Sequence, residues 1–247
     1  MAPIAKALKY LTVPAIDKHT ATIIFAHGLG DTGQGWEPVA KMLNRDPSLN
    51  HVKWILPHSP QKQITANMGM SMPAWCNARA YEVTYGRRML SSVQSLNDLI
   101  SAEVEAGIEP HRIVIGGFSQ GGALSLLTGL TSGRKLAGVV VLSGWLPIHK
   151  KFKSMLSEHT SSTPVFWGHG TKDPLVTHKM GKDSEAYLLA NCGVQTAKDD
   201  KVNGIVFKSY QGMQHSACEE ELQDLASWLR VIVPKEKSAY QKQEGQL

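Results

Sequence analysis

Five consecutive residues, Gly117-Phe118-Ser119-Gln120-Gly121, set a hydroxyl between two glycines. A serine attacks a carbonyl only when a base takes its proton, so the pattern carries chemistry only beside a histidine and an acid. The surroundings fit that use. RIVIGGF (112–118) reads as a buried strand and GALSLLTGL (122–130) as a helix, which puts Ser119 on a sharp strand-to-helix turn. Small flanking residues let such a turn approach its neighbours, and a helix N-terminus favours negative charge. A serine that merely caps the helix is the bland alternative.

Downstream of Ser119 lie His149, His159, His169, His178 and His215. In a strand–turn–helix site of this kind the acid falls between serine and histidine along the chain. His149, His159 and His169 precede the acid loop expected after strand 163–170, and His178 opens a predicted helix. His215 stands in YQGMQHSACEEE, after a strand ending at 210 and before the final helix, and is the expected base. A histidine capping that helix is the alternative. Asp173, in WGHGTKDPLV, is the expected acid, because a carboxylate on the imidazole fixes its useful tautomer. Asp-Pro is also ordinary turn chemistry. Asp183, Glu185, Asp199 and Asp200 sit on the next helix or in a polar loop.

A glycine-rich stretch, AHGLGDTGQGW (26–36), contains G-x-G-x-x-G. A dinucleotide site would need an acid about 20 residues on, at the end of the second strand. That strand, HVKWILP (51–57), instead runs into His58-Ser59-Pro60, and Asp46 precedes it. A P-loop would need Gly-Lys-Ser/Thr where Gly33-Gln34-Gly35 stands. With a serine nucleophile the loop gains another use: its Leu29 N–H and the N–H of Gln120 would form an oxyanion hole. A plain strand-to-helix turn is the alternative.

These groups need a scaffold that collects strand ends. Apolar runs at 22–27, 51–57, 112–118, 136–144, 163–170 and 204–210 alternate with helical patterns at 36–44, 88–106, 122–130, 178–191 and 216–232. In the 88–106 helix, Leu90, Val93, Leu96, Leu99 and Ile100 recur at helical spacing. The alternation predicts an α/β fold, a mostly parallel central sheet with helices on both faces, with KALKYLTV (6–13) as an antiparallel edge. One domain over 1–234 and a disordered polar tail over 235–247 are expected.

Composition narrows the function. The 247 residues are 42% hydrophobic and 19% charged, as in an ordinary globular protein. The net charge of +5 is scattered, with no aromatic-interleaved basic stripe, so a solvated surface is expected and no nucleic-acid partner. Cys76, Cys192 and Cys218 are too few and too far apart for a disulfide framework or metal knuckle. The sequence has neither an apolar leader nor a membrane-length run, so a cytoplasmic place, and a nuclear one besides, is expected.

The segments FAHGLGDTGQGW, PHSP, NMGMSMPAW, GGFSQGGALSL, LAGVVVLSGWLP, GHGTKDPLV and YQGMQHSACEEE, in this order, resemble the acyl-protein thioesterases and their carboxylesterase and lysophospholipase relatives, which are α/β-hydrolases. The resemblance implies a Ser119–Asp173–His215 triad and no metal or organic cofactor. It implies S-palmitoylated proteins as substrates, with lysophospholipids or short esters beside them, and transient membrane-surface contact. It also implies that QITANMGMSMPAW (63–75), with Ile64, Met68, Met70, Met72 and Trp75, flanks an acyl channel, and that Leu29, Trp145 and Leu175 help line the site. By residue chemistry alone the methionine-rich loop is equally a flexible core plug.

One stretch departs from the family. After Met72-Pro73 the family commonly has Ser-Trp, an aromatic residue and Asp; here Ala74-Trp75-Cys76-Asn77-Ala78-Arg79 follows, on into a more basic segment to 88. The departure bears on the substrate entrance and not on the triad. Thioester and oxygen-ester cleavage share one acyl-enzyme and stay open as alternatives, as does a non-catalytic binding protein on the same fold.

Overall fold

Strand β2 (Ala21–Ala26) is buried along its whole length, and its successive side chains enter two different cores. Ile24 and Ala26 pack with Met89, Leu96, Leu124, Leu127 and Trp167; Ile23 and Phe25 pack with Trp36, Leu43, Trp54, Leu225 and Leu229. Strand side chains alternate between faces, so a strand buried at every position must be covered on both sides.

The computed structural model describes residues 8–77, 82–197 and 203–236, without the side chains of residues 82–88, 149 and 150. Seven strands form the main sheet in the order β1 (Tyr10–Val13), β3 (Val52–Pro57), β2, β6 (Ile113–Phe118), β7 (Gly138–Leu142), β8 (Val165–Gly170) and β9 (Ile205–Tyr210). The pairs from β3 to β9 are parallel, and β1 runs antiparallel to β3 with Tyr10 opposite Pro57. The mostly parallel sheet and its antiparallel edge are those expected from the apolar runs.

Helices α2 (Glu82–Glu105), α3 (Gln120–Thr131) and α5 (His178–Asn191) contribute to the first core. Helices α1 (Glu37–Asn44) and α6 (Glu219–Ile232) supply the second, and α4 (His149–Phe152) is a single turn after β7. In α2 the buried face is Met89, Val93, Leu96 and Ile100, whereas Leu90, one position off that stripe, is exposed.

Strands β4 (Gln61–Ile64) and β5 (Met70–Pro73) form a separate antiparallel hairpin where the sequence suggested only a loop. The pattern there is too short to announce strands: β4 has one apolar residue, the buried Ile64, and Met70 and Ser71 of β5 are exposed. Residues 78–81, Asp199, Asp200 and the tail from 237 lie outside the described residues. Lys235 is tied to Pro47 O, Asn50 and Asp17. No helix among the described residues is long and apolar enough to cross a membrane.

Candidate active site

The C-terminal ends of parallel strands gather the residues of interest, as expected for open α/β sheets. Ser119 follows β6 and precedes α3, with φ 52° and ψ −117°, a conformation that costs a non-glycine residue of order 1–3 kcal/mol. Its surroundings hold it there. Ser119 N–H donates to Leu142 O at 2.8 Å, and Ser119 O accepts from Ala123 N–H at 3.0 Å.

The flanking glycines permit this turn. A Cβ on Gly121 would stand 2.1 Å from Ala26 O, and one on Gly117 would stand 2.4 Å from the Gly121 carbonyl carbon. The elbow thus presses its backbone against the end of β2. The loop after β2 runs beside the elbow, since a Cβ on Gly28 would lie 3.5 Å from Ser119 Cβ.

Asp173 and His215 meet after β8 and β9. His215 Nδ1 lies 2.7 Å from Asp173 Oδ2, and a carboxylate oxygen can only accept, so Nδ1 carries the proton of that bond. Asp173 Oδ1 accepts the N–H groups of Leu175 and Val176, both at 2.9 Å. The His215 ring also lies against Phe118, the residue before Ser119, with centroids 4.8 Å apart. The Ser119 hydroxyl makes no hydrogen bond among the described residues.

The glycine-rich loop has four consecutive amides engaged. Gly30 N–H donates to Pro73 O, Asp31 N–H to Gly28 O, Thr32 N–H to Asp31 Oδ1 and Gly33 N–H to His58 Nδ1. Leu29 N–H, like Gly28 N–H before it, has no acceptor among the described residues. The cause is His27. Ser59 N–H donates to His27 Nε2 at 3.1 Å, which leaves the ring proton on Nδ1, 2.7 Å from Gly28 O. A trans peptide points its C=O and N–H in opposite directions, so holding Gly28 O aims Leu29 N–H away from the ring. Burial lowers the His27 pKa and favours the neutral ring this pattern requires.

Residues 9–233 match the Phospholipase/Carboxylesterase family. The chain belongs to that family. It is 48% identical over 232 residues to acyl-protein thioesterase 1 of Cryptococcus neoformans, covering 90% of this chain and 97% of that protein. Acyl-protein thioesterase 1 of Saccharomyces cerevisiae is 38% identical, over 85% of this chain and 91% of its own. Among solved structures, Zea mays acyl-protein thioesterase 2 superposes with a TM-score of 0.76 at 29% identity, covering 91% of this chain and 99% of that one.

In this Phospholipase/Carboxylesterase-family chain, the residues expected around an acyl channel differ in exposure. Met68 is 94% exposed, Leu175 71% and Met70 56%; Leu29 is at the edge of exposure, and Met72 and Trp145 are half-buried. Ile64 and Trp75 are fully buried. Met72 comes near Gly30, so the hairpin stands beside the glycine-rich loop.

Other residues escaped the sequence reading. His27, His58 and Ser59 hold the loop, though in the sequence PHSP stands out only by its family resemblance. His169 lies near the end of β8, before the acid loop. Its Nε2 donates to Val176 O at 2.8 Å and braces the acid loop, while burial lowers its pKa. No sequence signal marks these contacts, because each is to a backbone group.

Proposed function

We propose that this family member is a serine hydrolase that removes palmitate from protein cysteines through an acyl-enzyme on Ser119. The Asp173–His215 hydrogen bond, with the His215 ring against the residue before Ser119, carries the reading. His215 Nε2 takes the Ser119 proton as Oγ attacks the thioester carbon, and the carbonyl oxygen becomes an oxyanion. The protonated ring then delivers its proton to the departing cysteine sulfur. Water, deprotonated by the same Nε2, next attacks the acyl-enzyme, and the ring returns that proton to the departing Ser119 Oγ as the fatty acid is released. The Ser119–His215 bond forms as substrate seats, since such contacts are often loose in a free enzyme.

Leu29 N–H and the Gln120 N–H at the head of α3 receive the oxyanion. Each such donor is worth about 10²–10³ in rate. Asp173 keeps the proton on Nδ1 and stabilises the imidazolium. The exposed Met68 and Met70 of the β4–β5 hairpin, with Leu29, Trp145 and Leu175, offer apolar surface to the acyl chain and transient contact to a lipid surface. The place of action is the cytoplasm or the nucleus. The family description favours one companion reading, cleavage of lysophospholipid or carboxylic oxygen esters by the same acyl-enzyme.

Turnover of a palmitoyl-cysteine peptide, a lysophospholipid and a short aryl ester by one preparation separates the readings. The peptide is expected to have the highest kcat/KM. Ser119→Ala is expected to lose about 10³–10⁶ in turnover and all labelling by a fluorophosphonate. Near-parental turnover in that variant would remove the serine mechanism altogether.

A further inference from the structure

Gln120 has two parts that face different neighbours. Its backbone N–H heads α3 beside Ser119, while its side chain, 2% exposed, reaches the segment that leaves β5. There Oε1 accepts from Trp75 N–H at 2.6 Å and Cys76 N–H at 3.3 Å, and Nε2 donates to Cys76 O at 3.0 Å. A buried carboxamide must satisfy both its donors and its acceptor, and here consecutive backbone groups do most of that.

The same segment is tied to the hairpin and to the glycine-rich loop. Pro73 O accepts from Gly30 N–H at 2.9 Å, and the Trp75 indole donates to His27 O at 2.8 Å. Asn77 exchanges two hydrogen bonds with Thr65, the residue after β4, at 3.1 and 2.8 Å. Residues 73–77 therefore connect the hairpin to both proposed oxyanion donors. The connection to the nucleophile's own helix runs through the Gln120 side chain.

An oxyanion donor supplied by the main chain of residue 120 does not need a carboxamide there. We propose that the Gln120 side chain is a positioning group that fixes the β4–β5 hairpin relative to Ser119 and so sets acyl-chain selectivity; this rests on the acyl-enzyme reading above. A long acyl chain spans the reacting carbon and the hairpin together, so a small drift between them misplaces the thioester. Displacements near 1 Å can cost about a hundredfold in rate. An acetyl group ends before the hairpin and depends chiefly on the elbow.

Two near-isosteric variants test this: Gln120→Met removes every polar contact, and Gln120→Glu keeps an acceptor but turns a second one toward Cys76 O. The measurement is kcat and KM for a palmitoyl-cysteine peptide and for an acetyl aryl ester, with a thermal melt of each protein. For Gln120→Met the palmitoyl-to-acetyl ratio of kcat/KM is expected to fall about tenfold to a hundredfold. For Gln120→Glu an intermediate ratio should climb toward the parental value as the pH is lowered, because a protonated acid can donate to Cys76 O as Nε2 does. If Gln120→Met does not fold, Gln120→Glu decides alone. Equal losses on both substrates, or an unchanged ratio, in a folded variant still labelled by a fluorophosphonate would overturn the proposal. Full activity of Ser119→Ala would instead sink the underlying mechanism, so the two failures are distinguishable.

Discussion

Asp173 meets His215 through only one of its two carboxyl oxygens. Oδ2 lies 2.7 Å from His215 Nδ1, while Oδ1 caps the amides of Leu175 and Val176. One oxygen shapes the acid loop and the other selects the imidazole tautomer. Asp173→Asn separates these roles. Its Oδ1 still caps the two amides, but its NH₂ faces Nδ1 and forces the ring proton onto Nε2. We expect about a 10⁴-fold loss in kcat with a melting temperature close to the parental one. Retention of kcat in this folded variant would remove Asp173 from the mechanism.

His27 offers a similar dissection on the other side of the site. An asparagine amide reaches about as far as Nδ1 and can still donate to Gly28 O; a glutamine amide reaches toward Nε2 and Ser59 N–H instead. If aiming Leu29 N–H is what matters, His27→Asn keeps most of kcat, and His27→Gln loses on the order of 10²-fold with little change in KM. Steady-state kinetics on an aryl ester reads both values. The reverse order of the two variants would contradict the peptide-aiming role.

Glu221 is fully buried on α6, and neither carboxyl oxygen has a hydrogen-bond partner among the described residues. Burial, aided by the charge of Asp224, raises its pKa from 4.5 to about 8. The folded state therefore holds a proton that the unfolded chain releases between those values. In that window stability falls as pH rises, by up to about 1.4 kcal/mol per pH unit from this group. Glu221→Gln should match the parent near pH 4.5 and be progressively more stable up to about pH 8. Thermal melts across that range measure it, and parallel profiles for the two proteins would refute it.

Gly121 tests the packing of the elbow. Alanine there would put a Cβ 2.1 Å from Ala26 O, a backbone atom at the end of the central strand β2 that has little room to yield. Gly121→Ala is expected to destabilise by more than about 3 kcal/mol or to prevent folding. At Gly133 a Cβ would meet nothing within 4 Å, so Gly133→Ala should stay within about 0.5 kcal/mol of the parent. Chemical denaturation of both variants checks the contrast; similar curves would mean the elbow relaxes.

The central strands were legible because burial on both faces leaves them apolar at nearly every position, as in VVVL of β7. The β4–β5 hairpin was not, because QKQI has a single apolar residue and MSMP is too short for Met-Ser-Met to mark a strand. Helix α2 shows the same limit at finer scale: Leu90 has the right residue type yet lies off the stripe made by Met89, Val93, Leu96 and Ile100. Around the site, Ser119, Asp173 and His215 could be picked out because each sits where a strand ends and a residue of its type has few alternatives. His27, His169 and the Gln120 side chain could not, since each serves a main-chain group that has no direction until the chain folds.

The order of apolar runs, and the residue types placed after them, determined the sheet, its two covering layers and the chemical groups at its edge. Only the folded chain decided which way the loop amides point, because that depends on imidazoles and a carboxamide meeting backbone atoms far along the sequence. Ser59 N–H on His27 and Gln120 on Trp75 are such meetings. Pattern follows from local hydrophobicity and propensity, whereas the aim of a peptide follows from the partners that hold its other end.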